Sequence, residues 1–553
     1  MGLFDNWRQS GAAVGARTEF LKPSPLAESV AAAMEPFKRS EAQPRPRVSN
    51  NMGRLARMMY ASGEPGRLTG DWPTNPVHID WIIQRFQRAL VARSREQATN
   101  NDFMKAYIRL QRINIIGPHG IQFHSLAMKG GNRPDKRARL AVAAAWEKWG
   151  KVGNCDVTGT LSWLGVQKQA CDTVVRDGEA FMQIVPGDDV SPMGIALRMI
   201  DPQRCPIEYT MDGVSGGSNY IRHGIEFNQY GRPVAYHFTD EITDRANVGY
   251  QYNGRSYTRI PASEIIHLFV PEFPSQKRGL PWMATGLFRA KQTQAMEDAA
   301  VVNARVGAAK MGFIQFKDGT GPEYDGDDNE LAIDAEAGTF PVLPSGAEFK
   351  EFAPQYPQGE FATFVKHLLH GFAAGGGVSY HSLTGDLEDV NFSSIRAGTL
   401  DEREAHKEKQ EWMREHLHER VFAVVFPRLL LASLVVDDNG VALPASKVVA
   451  LSAGRWQPRR WQWIDPAKEV NAAESWKNNL LTSPSQLIRE QGRDPDQVFQ
   501  EIGQDCRAMK AAGIPDGVIA SAFGQKLQPT TPPLDDGEGT AASKNPDEGD
   551  NSK

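Results

Sequence analysis

Residues 377–404 read GVSYHSLTGDLEDVNFSSIRAGTLDERE, a polar stretch with glycines that leads into a strongly charged helical pattern. Helical periodicity resumes near Ser394 and continues to Phe426, which corresponds to about 33 residues and roughly 50 Å of helix. Pro427 follows, and because proline has no backbone N–H, we expect the helix to kink or end there. The pattern therefore predicts a polar loop in front of one unusually long helix.

The residues before this loop predict a second helix that ends in glycine. Its apolar side chains recur at helical spacing and comprise Phe361, Phe364, Val365, Leu368 and Phe372. Gly375, Gly376 and Gly377 follow directly and favour a helix end with a flexible continuation. A phosphate-binding glycine loop would instead follow a strand, so a nucleotide site is the weaker interpretation.

Two basic helices are predicted near the beginning of the regular part of the chain. In the first, Ile82, Ile83, Phe86 and Leu90 share one face; in the second, the shared face holds Phe103, Ala106, Tyr107 and Leu110. Residues 81–112 carry seven basic and two acidic side chains. These charges are typical of solvated helix faces, and the alternative is a surface that meets an acidic partner or DNA.

Further elements follow along the chain. Helices are predicted over 136–149 and 161–177, and a hairpin with a half-buried sheet around NQYGRP at 228–233. Residues 281–311, rich in alanine and glycine and opened by Pro281, predict a helix of about 30 residues that packs densely against neighbours. Asp465-Pro466, Ser483-Pro484 and Asp494-Pro495 each pair a capping side chain with proline at the first helical position. They predict a small helical bundle over 465–525.

Composition and charge exclude several classes of protein. The chain has 553 residues, 41% hydrophobic and 23% charged, which is globular composition. Its net charge of −5 disfavours a tight, constitutive nucleic-acid binder. The four cysteines form no C-x-x-C pair, and the first residues resemble neither a secretory leader nor a lipidation signal. The apolar run 421–436 is too short for a membrane span, so we expect it in the core and expect no membrane partner.

The sequence contains few residues in a known catalytic pattern. The chain has no G-x-x-x-x-G-K-[ST] phosphate loop and no G-x-S-x-G nucleophile turn. His406, His416 and His418 lie on one charged helix, but their spacing is not the H-E-x-x-H of a zinc site. We therefore predict no enzyme activity, no cofactor, and no catalytic, cofactor-binding or metal-binding residues. A hydrolase with a histidine-based site on residues 406–418 is the alternative.

Four stretches in the same order carry a family resemblance. They are the opening segment 377–404, INIIGPHGIQF at 113–123, IPASEIIHLFVPEFPSQKRGLPWMATGL at 260–287, and RRWQWIDPAKEVNAAESWKNNLLTSPSQLIREQGRDPDQVFQEIG at 459–503. Together they resemble the lambda-type portal proteins of tailed bacteriophages, over most of the chain from about residue 100 to 510. The N-terminal arm and the acidic tail lie outside the resemblance.

The resemblance implies an α+β, mainly helical subunit of a ring oligomer with wing, stem, clip and crown regions. The regions that it implies are a first wing part (76–190), a clip-like β region (191–270), a stem helix (271–311), a second wing part (312–377), the channel loop with the long kinked helix (378–434) and a crown-like helical region (435–525). Composition, rather than the resemblance, predicts an extended arm (1–75) and a disordered acidic tail (526–553).

The family's role implies a DNA conduit. Its members form a dodecameric ring at one capsid vertex, through which double-stranded DNA is packaged and later ejected. The partners that the resemblance implies are double-stranded DNA, the terminase large subunit, head-completion or adaptor proteins, tail proteins, and the major capsid and scaffold proteins. The location that it implies is the virion, after assembly in the host cytoplasm.

The resemblance also places a DNA-channel loop in this chain. The candidate residues are Ser379, Ser382, Thr384, Gly385, Asp386, Glu388, Asp389, Asn391, Ser393, Ser394 and Arg396. Three carboxylates among them outnumber the one arginine, so the loop should repel rather than hold the phosphates of passing DNA. The alternative is that these carboxylates only solubilise an ordinary surface loop.

Overall fold

The computed structural model describes residues 73–129, 133–214, 217–239, 257–308, 312–316, 347–351, 361–388, 391–461 and 464–523. The chain divides into a unit up to Pro76 and a second unit, Val77–Lys553, to which all that follows refers. The fold is α+β and mainly helical, which confirms the predicted class. Residues 1–72 of the expected arm and the whole of the expected tail, 526–553, lie outside the described residues.

Four helices open the second unit: α1 (Ile79–Asn100), α2 (Asp102–Ile115), α3 (Lys136–Trp149) and α4 (Trp163–Asp177). Side-chain oxygens cap three of them, as the intrahelical bonding pattern requires at an N-terminus. Asn101 accepts a hydrogen bond from the backbone N–H of Met104 at 3.0 Å, Asp135 caps α3, and Ser162 caps α4. The helices predicted in these regions are confirmed.

The predicted apolar face of α1 is correct for Ile83, which is buried, and for Ile82 and Leu90, which are half-buried against the core, but it is wrong for Phe86. Phe86 is 45% exposed, and the buried stripe consists of Ile79, Ile83, Gln87, Val91, Ser94 and Gln97. The stripe is rotated because two of its polar members have partners in the core: Gln87 Nε2 donates to Glu179 Oε1 at 3.0 Å, and Ser94 Oγ donates to the carbonyl of Arg176. In α2, Tyr107 is buried as predicted, alongside Met104 and Gln111.

Thirteen strands are described: β1 (Gln122–Ser125), β2 (Met128–Lys129), β3 (Arg133–Pro134), β4 (Glu179–Pro186), β5 (Ile195–Ile200), β6 (Tyr220–Arg222), β7 (Ile225–Phe227), β8 (Pro233–Phe238), β9 (Thr258–Pro261), β10 (Ile265–Phe269), β11 (Gly312–Phe316), β12 (Ala347–Glu351) and β13 (Gly454–Gln457). An antiparallel sheet has the order β10-β4-β5, and a second has the order β6-β7-β8-β9. The hairpin predicted around NQYGRP is β7–β8, with Ile225 opposite Tyr236.

The helix predicted for 281–311 is described from Leu287 to Ala308 and is named α5. Residues 282–286 form turns instead, with the Gly286 N–H bonded to the Met283 carbonyl, so the expected start at Pro281 is wrong. Within the subunit the second half of α5 lacks the dense packing that its small residues predicted. Ala299 and Ala304 are exposed there, as are Val301 and Val302.

The next helices are α6 (Phe361–Gly375), α7 (Tyr380–Thr384), α8 (Phe392–Met413) and α9 (Glu419–Leu431), with a π-helical turn, Arg414–His418, joining α8 to α9. The predicted end of α6 at the glycines is confirmed. The prediction that the helix would end at Pro427 is wrong, because Pro427 lies inside α9. The α-helical hydrogen bonding changes earlier, at the π turn. Phe426 and Leu429, buried on either side of Pro427, hold the helix through it.

The chain closes with α10 (Val448–Leu451), β13 and four further helices: α11 (Pro466–Asn478), α12 (Pro484–Glu490), α13 (Pro495–Ala511) and α14 (Asp516–Ala522). All three predicted Pro starts are confirmed, with Asp465, Ser483 and Asp494 as caps. Of the helices in the described ranges, none combines the length and apolar character needed to cross a bilayer.

The main core is built on aromatic rings contributed by distant parts of the chain. Trp146 stacks on Trp149 with ring centroids 4.7 Å apart, and Phe422 meets Trp146 edge-on at 5.2 Å. Trp163 and Trp456 complete the cluster. Such ring pairs add to the hydrophobic gain of burial, so this cluster fixes α3, α4, α9 and β13 against one another. The expectation that the run 421–436 belongs to the core is confirmed.

A buried ionic network joins the two larger sheets. Glu179 and Arg278 are both fully buried, with Arg278 Nη2 2.6 Å from Glu179 Oε1. His267 Nε2 lies 3.0 Å from the second carboxylate oxygen. Burial alone would raise the pKa of Glu179, but Arg278 and His267 outweigh it and lower the pKa to about 2. Arg278 also donates to the carbonyls of Cys205 and His223, which ties this ion pair to the β6–β9 side.

Candidate channel segment

The candidate channel segment, residues 378–396, is shorter as a loop than the sequence predicted. Helix α7 occupies Tyr380–Thr384, and α8 begins at Phe392. Ser379 caps α7, and Asn391 caps α8 by accepting a hydrogen bond from the Ser394 N–H at 2.8 Å. Ser393, Ser394 and Arg396 therefore lie on α8 rather than on a loop, and Asp389 lies outside the described residues.

The segment folds back on α8 through a shared carboxylate. Ser379 and Ser382 both donate to Glu402 Oε2, at 2.9 and 2.7 Å. Burial would raise the pKa of Glu402, but the interaction with His406 and the two serine hydroxyls outweigh it, so the pKa lies below its ordinary value. Glu402 thus stays ionised and holds the start of the segment against the long helix.

Asp386 has local partners rather than a free carboxylate. It accepts hydrogen bonds from the Tyr380 hydroxyl and the Glu388 N–H, both at 2.9 Å, and Lys366 Nζ lies 3.4 Å away. The Glu388 N–H, followed by the Tyr380 hydroxyl, holds the pKa of Asp386 below its ordinary value. Glu388, in contrast, is exposed. Of the described carboxylates among the candidate residues, Glu388 is the one that faces solvent most fully.

The base of the segment is a close contact between α2 and the glycines. Tyr107 Oη donates to the carbonyl of Gly376 at 3.2 Å. A Cβ at Gly376 would lie 2.7 Å from the Tyr107 ring, too close for any other residue without rearrangement. Tyr380 stacks on His370 at 4.1 Å between centroids. The glycine run thus allows close backbone approach, which accounts for it without a nucleotide.

The remaining hydroxyls and backbone of the candidate set are accessible. The exposed members are Ser382, Gly385, Glu388, Asn391, Ser393 and Ser394. Arg396 is half-buried, with Nη2 3.7 Å from Glu469 at the start of α11. Thr384 donates to the carbonyl of Tyr380. The surface presented is small, polar and, at Glu388, anionic, and its place on a channel wall stays a prediction.

The three histidines of the alternative hydrolase have packing roles. His406 is buried with Nε2 3.5 Å from Glu402. His416 Nδ1 bonds the Trp412 carbonyl, and His418 lies edge-on to Trp163 and Trp456. Within the described part of the chain, no group of three or more His, Cys, Asp or Glu side chains is placed to hold a metal ion.

Two features were not predicted from the sequence. Arg278 lies within the quoted stretch 260–287, but nothing in its neighbours indicated that it would be fully buried against Glu179, 99 residues away. A cleft lined by five basic side chains, described below, draws them from positions between 112 and 460. Neither feature can be predicted from a short stretch of sequence, because each combines side chains that are far apart along the chain and meet only in the folded protein.

Comparison with known proteins identifies the family. The family model described as phage portal protein, lambda family, matches residues 65–410. The probable portal protein of Halomonas phage phiHAP-1 is 33% identical over 474 residues, covering 84% of this chain and 88% of that protein. Portal protein B of Escherichia phage lambda is 21% identical over 515 residues, covering 85% and 93%.

Solved structures of gene transfer agent particles also align with the chain. A chain from the neck of the empty particle aligns with a TM-score of 0.39 and 14% identity, covering 78% of this chain and 99% of that one. None of the comparisons supports the hydrolase alternative. The family match spans more than half of the sequence, and the Halomonas phage relative covers most of both chains. The chain therefore belongs to the lambda family of phage portal proteins.

Proposed function

We propose that the protein forms the ring-shaped conduit at one capsid vertex through which double-stranded viral DNA is packaged and ejected. The observation that carries the proposal is the portal-family match over residues 65–410. A structural role suits this family, and the three histidines of residues 406–418, two of them buried and all of them in contact with neighbouring groups, give no support to catalysis. Assembly in the host cytoplasm, followed by residence in the virion at the portal vertex, completes the proposal.

The ring is proposed to contain twelve subunits. A closed ring needs a heterologous interface, in which one face of a subunit meets a different face of the next. The second half of α5 supports this: Val301 is 50% exposed and Val302 57% exposed beside exposed alanines. A neighbouring subunit that covered this face would provide the dense packing that the small residues predict.

The regions of the subunit follow the portal plan in this proposal. The wing comprises 76–190 and 312–377, the clip 191–270, the stem 271–311, the channel segment and long helix 378–434, and the crown 435–525. In support, the clip range contains the β6–β9 sheet, the stem range contains α5, and the crown range contains α11–α14. The extended arm 1–75 and the tail 526–553 complete the assignment.

The proposed partners act at different stages. The terminase large subunit would dock during packaging, and head-completion or adaptor proteins and tail proteins would dock afterwards. The major capsid and scaffold proteins would surround the ring. The clip would present the docking surface for these successive partners, since its range contains the whole four-stranded β6–β9 sheet.

The channel is proposed to repel DNA. Each subunit carries −5, so twelve subunits would carry about −60, and this net charge would repel the phosphates of the passing DNA. The exposed Glu388 and the serine hydroxyls at the start of α8 would form the surface nearest the DNA. Weak contact is what movement requires, because each phosphate neutralised adds affinity.

Electron microscopy of the purified protein tests the ring. We expect annular particles with an open centre, and a mass in solution of about 730 kDa for twelve subunits of 61.1 kDa each. Size-exclusion chromatography with light scattering provides the mass. Isolated particles of one subunit, or rings with a blocked centre, would contradict the proposal.

Charge reversal at the channel segment tests the conduit surface. Lysines at Asp386, Glu388 and Asp389 together should impede packaging without preventing ring assembly, and Glu388→Lys alone disturbs the fold least because its side chain is exposed. We expect several-fold less packaged DNA at low salt and a smaller deficit at higher salt, where the new attraction is screened. Packaging of DNA into nuclease-resistant particles is the measurement.

Glu147→Lys is the matched control, because Glu147 is exposed on α3, far along the chain from the channel segment. It makes the same charge change outside the proposed channel and should leave packaging unchanged. Equal packaging by the Glu388 variant and the wild type across the salt series would remove the channel assignment of this segment.

A further inference from the structure

Two of the stretches that carry the family resemblance meet at one cleft. Residues from 112–122 and from 457–461 line it side by side, with Gln122 paired to Gln457 across β1 and β13, and the volume is about 910 Å³. Five basic side chains line it: Arg112, Lys168, Arg403, Arg459 and Arg460. No carboxylate is among its described lining residues. We name it the basic cleft.

The basic cleft leaves cationic groups without compensation. The Nε atoms of Arg403 and Arg460 are buried and have no hydrogen-bond partner among the described residues. Among the described residues, Arg459 donates to neutral acceptors, the Ile113 carbonyl at 2.7 Å and Asn114 Oδ1 at 2.9 Å. Burial, and then the nearby Arg403, lowers the pKa of Arg459, although it remains charged. An uncompensated donor of this kind is costly unless a ligand satisfies it.

The walls of the basic cleft are built to hold these cations in place. Gly117 has a φ of +77°, and a Cβ there would lie 2.9 Å from Arg459 Cβ, so glycine gives the Arg459 side chain its path. Trp461 donates to Asn114 at 3.1 Å, and the guanidinium groups of Arg403 and Arg459 lie 5.8 and 5.9 Å from its ring. The cations are thus positioned before any ligand arrives.

Of the five, Arg112 forms an ion pair with a carboxylate outside the lining, with Nη1 2.6 Å from Asp172. Asp172 also interacts with Lys168 and Glu469 interacts with Arg403, but in the described structure neither of these pairs comes close enough to form an ion pair. The cleft therefore keeps an excess of positive charge for a ligand. One carboxylate would neutralise only one of these cations, whereas a nucleic-acid strand brings a series of closely spaced phosphates. Guanidinium groups bind phosphate oxygens through paired N–H donors, which suits the unpartnered Nε atoms.

We propose that the basic cleft binds backbone phosphates of a polynucleotide, independently of base sequence. This inference rests on the proposed function, because the conduit is what would bring DNA to the ring. Arg403 lies seven residues beyond Arg396 on α8, so the cleft begins about 10 Å along the helix from the candidate channel segment. A few phosphates held at the cleft form a contact that salt weakens steeply, which is compatible with DNA that must move on.

The test measures binding of a fluorescein-labelled 12-base-pair duplex to the full-length assembled protein by anisotropy across a salt series. Arg403→Gln with Arg460→Gln removes two charges from the cleft. The control, Arg455→Gln with Arg507→Gln, removes two charges from exposed arginines outside it. For the cleft variant we expect affinity about 10-fold lower at low salt and a log–log salt slope about 1.8 smaller in magnitude, the loss of two phosphate contacts. The control should bind like the wild type.

Inorganic phosphate and a poly-glutamate peptide serve as competitors. Competition by phosphate supports the proposal. The proposal would be overturned if the cleft variant and the control lost equal affinity for the duplex, or if neither lost any. It would also be overturned if poly-glutamate at matched charge displaced the duplex and phosphate did not. Ring assembly is checked by microscopy for every variant. Binding of a short duplex does not require packaging. If the protein bound the duplex at the basic cleft but packaged no DNA, the proposed function would be wrong and this inference would still hold.

Discussion

Replacement of Arg278 by alanine should lower the free energy of unfolding by about 3–5 kcal/mol, or prevent folding. The substitution leaves Glu179 fully buried without its cation, and it leaves the carbonyls of Cys205 and His223 without their donor. A buried carboxylate that loses its cation is far costlier than a lost surface pair, even though Gln87 and His267 still contact Glu179. The measurement is the urea midpoint by tryptophan fluorescence at a fixed protein concentration, since subunit association contributes to apparent stability.

Two further variants separate the buried charge from simple truncation. Arg493→Ala removes an arginine whose partner, Glu501, is 2.5 Å away on an exposed surface, and it should cost at most about 1 kcal/mol. Arg278→Met combined with Glu179→Gln removes both charges and should be more stable than Arg278→Ala alone. If the double variant is instead less stable than Arg278→Ala, the pair stabilises the fold through more than charge compensation.

Local chemistry in the sequence was sufficient for the helix starts. Asp465, Ser483 and Asp494 each precede a proline, and in each case the cap and the fixed φ of proline act within one turn, so the helix begins where predicted. The ends of α6 and of the β7–β8 hairpin were predictable for the same reason. In these places the deciding interaction lies within four residues along the chain.

The remaining predictions failed because they depend on contacts between residues that are distant in the sequence. The buried face of α1 depends on Gln87, a polar residue whose burial makes sense only once Glu179 is in place. The long helix was expected to change at Pro427, but the change is a π turn at 414–418, where buried Leu417 and His418 are drawn into the core. For the candidate channel segment, the sequence predicted its polar character but not the tether between Glu402 and two of its serines.

His418 gives the second large prediction, a loss of stability in mild acid. Its Nδ1 lies 3.0 Å from the Met413 carbonyl, and since a carbonyl only accepts, Nδ1 carries the proton. Nε2 is buried against tryptophan rings without a hydrogen-bond partner in the described structure. Burial lowers the pKa of His418 from 6.5 to about 4. Protonation would place a cation where water cannot reach it.

The sign of the effect follows from proton binding. Between pH 6.5 and 4 the unfolded chain binds more protons at this site than the folded chain does, so stability is complete above pH 6.5 and falls as the pH is lowered. From pH 7 to pH 5 we expect His418 to account for a loss of about 2 kcal/mol. His267 and His237, whose pKa values burial also lowers, add to the same trend.

His418→Phe isolates the contribution of His418 to this loss of stability, because a phenyl ring keeps the aromatic packing and cannot titrate. The variant should lose about 1 kcal/mol at pH 7 with the hydrogen bond to Met413, and its urea midpoint should then decline less than that of the wild type between pH 7 and 5. Equal declines in the two proteins would mean that His418 does not contribute to the acid sensitivity.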